Sequence, residues 1–182
     1  MKVTLIIGGA RSGKSRLAQE MAREGGGEVL FVATAEAGDD EMERRIEAHR
    51  RSRPPYWKTL EVTANIGARI SAETGSAVTV VVDCITLLVS NVFEEHGWSA
   101  DDEEMEQAIE AEIKGLIDCI DRSQARFIIV TNEVGLGIIP ADRVSRLYRD
   151  LLGRANRMLA ARADEVLLMV AGIPVAIKKP LD

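Results

Sequence analysis

Short apolar runs alternate along this chain with longer segments of helical period. Val3, Leu5, Ile6 and Ile7 predict a buried first strand, and residues 15 to about 24 a helix after it. Val29–Ala33 is β-branched and aromatic and follows Gly25-Gly26-Gly27, which predicts a second strand. Asp39 to about Arg51 reads as a helix, with acids at its start and basic residues near its end, and Pro54-Pro55 closes it. Trp57–Val62 predicts a short strand and Ile66–Ala72 a short helix. Ala77–Val82 and Phe127–Val130 are continuously apolar, as in strands buried on both faces. Helices are expected from Ile85, over Asp101–Asp121 (apolar at Met105, Ile109, Ile113, Leu116 and Ile120) and over Asp142–Ala163. Glu165–Val170 predicts a last parallel strand, and Gly172-Ile173-Pro174 a turn into an antiparallel strand at Val175–Ile177. His96 falls in an expected loop with no nameable partner. This alternation predicts an α/β fold, a mostly parallel sheet with helices on both faces and a C-terminal antiparallel hairpin. No repeat or linker interrupts it, so residues 1–182 read as one domain.

Composition narrows the classes. Hydrophobic residues make up 46% of the chain, enough for a sizeable core. A net charge of −6 argues against a general nucleic-acid binder. Cys84 and Cys119 lack metal-type spacing and are expected to be buried free thiols in a reducing compartment. The N-terminus reads as a strand rather than a signal peptide, and Asp83 interrupts the longest apolar stretch, residues 77–93. A soluble cytoplasmic protein without a membrane span is the expectation.

The most specific chemistry lies at Gly8-Gly9-Ala10-Arg11-Ser12-Gly13-Lys14-Ser15, a complete G-x-x-x-x-G-K-[ST] phosphate loop between a strand and a helix. Its backbone N–H groups can cradle phosphates, Lys14 can reach the β- and γ-phosphates, and the Ser15 hydroxyl can ligate Mg²⁺. Val80-Val81-Val82-Asp83 has the form of a strand ending in a metal-holding acid, the reading favoured by the phosphate loop upstream, with Asp83 as a cap of the following helix the alternative. His49 lies on one helix face with Met42 and Ile46, amid Arg44, Arg45, Arg50, Arg51 and Arg53. A neutral imidazole there could attack phosphorus while guanidinium groups clamp a polyphosphate, or it could be an ordinary surface histidine. Asn132 and Glu133 follow a buried strand; they could position substrate or a metal-bound water, or simply stabilise a loop. A plain small-molecule kinase and a non-enzymatic nucleotide-binding module are the rival readings.

Several ordered blocks carry a resemblance. They are the phosphate loop; Ala33-Thr34 followed by Asp40-Glu41-Met42, Arg45-Ile46 and His49; Arg53-Pro54, Trp57, Thr59 and Glu61; Asp83-Cys84-Ile85-Thr86 with Asn91; residues 130–135 with Gly137-Ile138 and Pro140; and Arg149-Asp150, Gly153-Arg154, Asn156 and residues 163–166. Together they resemble the bifunctional adenosylcobinamide kinase / adenosylcobinamide-phosphate guanylyltransferase family of cobalamin biosynthesis. The resemblance implies a P-loop, RecA-like fold, assembly as a trimer, and two reactions. In one, ATP or GTP phosphorylates the aminopropanol hydroxyl of adenosylcobinamide. In the other, GTP guanylylates a histidine, which passes GMP to adenosylcobinamide phosphate. The family's reactive histidine falls on His49, preceded here by Ala48 where some members carry a second histidine. Nucleotide contacts carry over to residues 8–15, to Thr34, Ala35 and Glu36, to Arg50, Arg51, Ser52 and Arg53, and to Glu61 and Asp83. Mg²⁺ is implied at Ser15 and Asp83.

Overall fold

Six parallel strands and one antiparallel edge strand make a single sheet in the order β3-β2-β4-β5-β1-β6-β7. The computed structural model describes residues 2–36, 40–98 and 100–179; the side chains of Asp40, Glu41, Met42, Arg45, His49 and Ser52 also lie outside the description. The strands are β1 (Val3–Gly8), β2 (Val29–Ala33), β3 (Lys58–Glu61), β4 (Thr79–Asp83), β5 (Arg126–Asn132), β6 (Glu165–Val170) and β7 (Ile173–Lys178). The helices are α1 (Lys14–Gly25), α2 (Asp40–Ser52), α3 (Ile66–Glu73), α4 (Ile85–His96), α5 (Asp102–Arg122) and α6 (Arg143–Arg162).

Both faces of the sheet are covered, which is why its central strands are apolar at nearly every position. On one face, Ala18 and Ala22 of α1 pack with Ile6, Phe31, Val81, Ile128 and Trp57. On the other, α3, α4, α5 and α6 bury a larger cluster built on Leu5, Val32, Val82 and Ile129. The apolar positions Met105, Ile109, Ile113, Leu116 and Ile120 of α5 all face this core. Asp101 and Asp142 cap α5 and α6, accepting hydrogen bonds from the Glu103 and Ser145 amides.

Three local expectations are corrected. The final turn is Ala171-Gly172, not Gly172-Ile173-Pro174, with both turn residues at positive φ; Ile173 and Pro174 already belong to β7, opposite Val170 and Met169. An edge strand tolerates proline because the lost N–H has no ladder partner to leave unpaired. His96 is the last residue of α4 rather than a loop residue, and its Nδ1 lies 3.4 Å from a Glu104 carboxylate oxygen. Cys119 is buried as expected, but Cys84 is partly exposed. Among the described residues, no helix is long and apolar enough to cross a membrane.

Candidate active site

Strand register assembles the site. Parallel pairing sets Gly8 opposite Asn132 and Met169, Asp83 opposite Val130 and Ala33, and Ala33 opposite Glu61. The carboxyl ends of all six parallel strands therefore share one edge, where open α/β sheets bind ligands. A cleft of about 440 Å³ lies along it.

The phosphate loop forms one wall. A Cβ on Gly8 would meet the Met169 carbonyl oxygen at 2.7 Å, so the loop can begin here only without a side chain. Gly13, at φ 94°, caps α1; no side chain occupies that helix end, and no acid lies in its first turn. The first amides of α1 are thus left for an anion. Lys14 is 7% exposed and its Nζ donates to the Gly9 carbonyl at 2.6 Å. Burial holds its pKa below the ordinary lysine value, against the opposing pull of Cys84 and Asp83. The Ser12 hydroxyl is buried in the loop without a hydrogen-bond partner, the kind of vacancy an incoming phosphate oxygen can satisfy.

Asp83 ends β4 and shares the cleft with Lys14 and Ser15. It does not cap α4; Cys84 occupies that position. Although the residue as a whole is only half-buried, its sulfur packs against the core, and that burial, reinforced by neighbouring Asp83, pushes the Cys84 thiol up to about 12, so it is neutral. One carboxylate and one hydroxyl are hard oxygen donors that fit Mg²⁺, which takes few protein ligands and keeps waters and phosphate oxygens. Among the described residues there is no cluster of three or more His, Cys, Asp or Glu able to cage a metal alone.

The chain after α2 supplies the opposite wall. The Arg53 guanidinium stacks 3.8 Å from the Phe31 ring centroid, and its Nε and Nη1 are buried without hydrogen-bond partners. Burial lowers its pKa, with Asp83 opposing; an arginine remains charged regardless. Phe31 stacks in turn on Trp57, and Arg23 lies over Trp57 at 5.9 Å. Arg50 pairs with Glu61 at the mouth of the cleft.

Ala10, Arg11, Gly13, Lys14, Ser15, Ala35, Arg50, Arg53, Glu61 and Asp83, all expected from the sequence to contact nucleotide, line this one cleft. Gly8, Gly9 and Ser12 form the loop behind it. Glu36 and Arg51 instead line an adjoining hollow of about 960 Å³, which shares Ala35, Ile46, Arg50 and Glu61 with the cleft. Thr34 is fully buried; its hydroxyl donates to the Cys84 carbonyl at 2.7 Å and accepts from the Cys84 amide at 2.8 Å. That arrangement ties β2 to the end of β4. His49 sits in α2, three residues after cleft-lining Ile46, with its side chain outside the described residues, as is that of Ser52.

Asn132 also lines the cleft, and sequence reasoning had left its role open. The network behind it was missed. Its amide donates to the Thr86 hydroxyl at 2.8 Å, and its carbonyl accepts from Asn156 Nδ2 at 3.0 Å. Thr131 donates to Asn156 Oδ1 at 2.7 Å, and the Tyr148 hydroxyl donates to the Thr86 carbonyl at 2.9 Å. The available signal was Asn156 itself, a polar residue among the core-facing positions of α6.

Residues 4–177 match the family model described as cobinamide kinase / cobinamide phosphate guanyltransferase. The chain is 45% identical over 179 residues to the bifunctional adenosylcobalamin biosynthesis protein CobU of Escherichia coli K12, covering 96% of this chain and 98% of that one. It is 43% identical to the protein of the same name from Salmonella typhimurium, with the same coverage. It is 41% identical over 174 residues to the CobP protein of Pseudomonas aeruginosa, covering 96% of each chain. Among solved structures it resembles the RadB recombinase in fold, with TM-score 0.51, 17% identity, and 92% of this chain and 73% of that one covered. A Pyrococcus horikoshii protein matches with TM-score 0.57 and 9% identity over 100% of this chain and 88% of that one. The fold is thus that of P-loop, RecA-like proteins, and the chain belongs to the cobinamide kinase / cobinamide phosphate guanyltransferase family.

Proposed function

We propose that this enzyme phosphorylates the aminopropanol hydroxyl of adenosylcobinamide and then transfers GMP from GTP to adenosylcobinamide phosphate. The transfer passes through a guanylyl-histidine at His49 and yields adenosylcobinamide-GDP. ATP or GTP donates the phosphoryl group, the enzyme works in the cytoplasm, and it assembles as a homotrimer. One observation carries the reading: α2, the helix of His49, contributes Ile46 and Arg50 to the cleft that holds the phosphate loop. That position of the helix supports a nucleophile on it acting on a polyphosphate in the cleft.

In the guanylyl step the neutral imidazole nitrogen bonds to the α-phosphorus, and the bond to the bridging oxygen breaks to release pyrophosphate. Lys14 and the α1 amides bind the departing phosphates, and Arg53 offers two unpaired N–H groups to oxygens nearby. Ser15 and Asp83 would hold Mg²⁺, which supplies charge neutralisation when bound. In the kinase step the same loop presents the γ-phosphorus to a hydroxyl.

The test is GTP labelled on the α-phosphate, with Mg²⁺ and no corrinoid. Denatured wild-type protein is expected to retain label that is stable to base and lost in acid, as a phosphorus–nitrogen bond requires. His49→Ala is expected to lose it. A wild type that binds GTP but never labels would leave a simple kinase as the better reading.

A further inference from the structure

We propose that Asn132 is a catalytic residue of the phosphoryl-transfer step, its side-chain amide donating a hydrogen bond to the terminal phosphoryl group as it leaves the nucleotide. This rests on the reading of the cleft as the kinase and guanylyltransferase centre.

Both backbone polar groups of Asn132 are held by buried or half-buried side chains, Thr86 on α4 and Asn156 on α6. Asn156 is only 5% exposed and is itself fixed by Thr131. Next along the chain, the Glu133 amide donates to the Gly8 carbonyl at 3.1 Å, so the strand end is tied to the phosphate loop. The Asn132 carboxamide, by contrast, has no hydrogen-bond partner among the described residues, and Asn132 lines the cleft with Lys14 and Asp83. A rigidly held backbone carrying an unengaged donor is the arrangement electrostatic preorganisation requires.

Register shows which phosphate it meets. Asn132 pairs with Gly8, the first residue of the loop, and Lys14 Nζ lies against Gly9. Lysine in such loops reaches the β- and γ-phosphates, so the Gly8–Gly9 end of the loop is the terminal-phosphate end. In the kinase reaction the acceptor oxygen bonds to the γ-phosphorus. The bond to the β–γ bridging oxygen breaks with its electron pair going to the nucleoside diphosphate, and the hydroxyl proton leaves to solvent. Asn132 exchanges no proton; its Nδ2–H follows a non-bridging oxygen of the moving phosphoryl group. In the guanylyl reaction that end is part of the intact pyrophosphate leaving group, and the contact has little to gain at the transition state. Asn156 and Thr86 are positioning residues.

The two reactions in one cleft provide an internal control. Asn132→Ala is expected to lower kcat of the kinase reaction by about a hundredfold. Nucleotide KM and the rate of α-phosphate labelling should each stay within about threefold of wild type. Asn132→Leu, of similar volume, uncharged and with both backbone bonds kept, should lose the kinase reaction as severely, and it decides the matter if the alanine variant does not fold. Asn156→Leu should reproduce the same selectivity at a smaller amplitude. Equal loss of both reactions, or an unchanged kinase rate in the Asn132→Leu variant, overturns the assignment. A wild type with neither activity would instead reject the reading on which it rests.

Discussion

Arg53 shows how one side chain is singled out from a cluster. Five arginines lie between positions 44 and 53, and a sequence pattern treats them alike. Among the described residues, Arg53 is the one stacked on Phe31, a fully buried ring of β2, with Nε and Nη1 left unpaired in the cleft wall. The stack holds the guanidinium plane without spending its donors. Arg53→Lys keeps the charge and loses the plane, and is expected to weaken GTP binding by about tenfold with little change in unfolding temperature. Titration calorimetry of the folded variant checks this; unchanged affinity would mean the stack only supports the fold. The sequence marks Arg53 as a cation near a phosphate loop, but Phe31 lies 22 residues away and meets it only through the sheet.

At the scale of elements, α3 and α5 approach each other closely. A methyl group on Gly67 would sit 2.1 Å from the Gly115 carbonyl oxygen and 2.9 Å from the Leu116 nitrogen. These are backbone atoms of α5 and cannot step aside. Glu112 of α5 reaches back to accept from the Asn65 and Ile66 amides, at 3.0 and 2.6 Å, and so caps α3 from outside. Gly67→Ala is expected to cost about 3 kcal/mol by forcing the helices apart. Gly115→Ala meets nothing within 4 Å and is expected to be neutral or to stabilise by up to about 1 kcal/mol through helix propensity. Thermal unfolding of the pair separates the two; equal losses would show that the close approach is relieved at little cost. Both glycines look alike in sequence. Only the packing distinguishes the one that admits another backbone from the one that faces open space.

At the scale of the whole molecule, the sheet ends in β7, all six of whose residues are exposed. Val170 pairs with Ile173 and Leu168 with Val175, which places these apolar side chains on one face. Leu136, Ile138 and Ile139, between β5 and α6, are also strongly exposed. Apolar surface of this kind on a chain with net charge −6 is what self-association would cover. The proposed homotrimer is expected to give, by light scattering at micromolar concentration, the mass of three chains. The mass of one chain would remove it.

Period and motif determined much of this protein before any coordinates. The apolar runs located the strands because a sheet covered on both faces leaves few polar positions along them. The phosphate loop was legible because its function depends on local backbone geometry, encoded in eight consecutive residues. Tertiary structure decided the rest. Register alone put Asp83 beside Lys14 and Asn132 beside Gly8, since a single-residue slip would turn each to the other face. The anchoring of Asn132 by Thr86 and Asn156 depends on three elements meeting at one edge. Hydrogen bonds between residues distant in sequence leave no periodic trace, so beyond the lone polar Asn156 on the core face of α6 nothing in the spacing announces them.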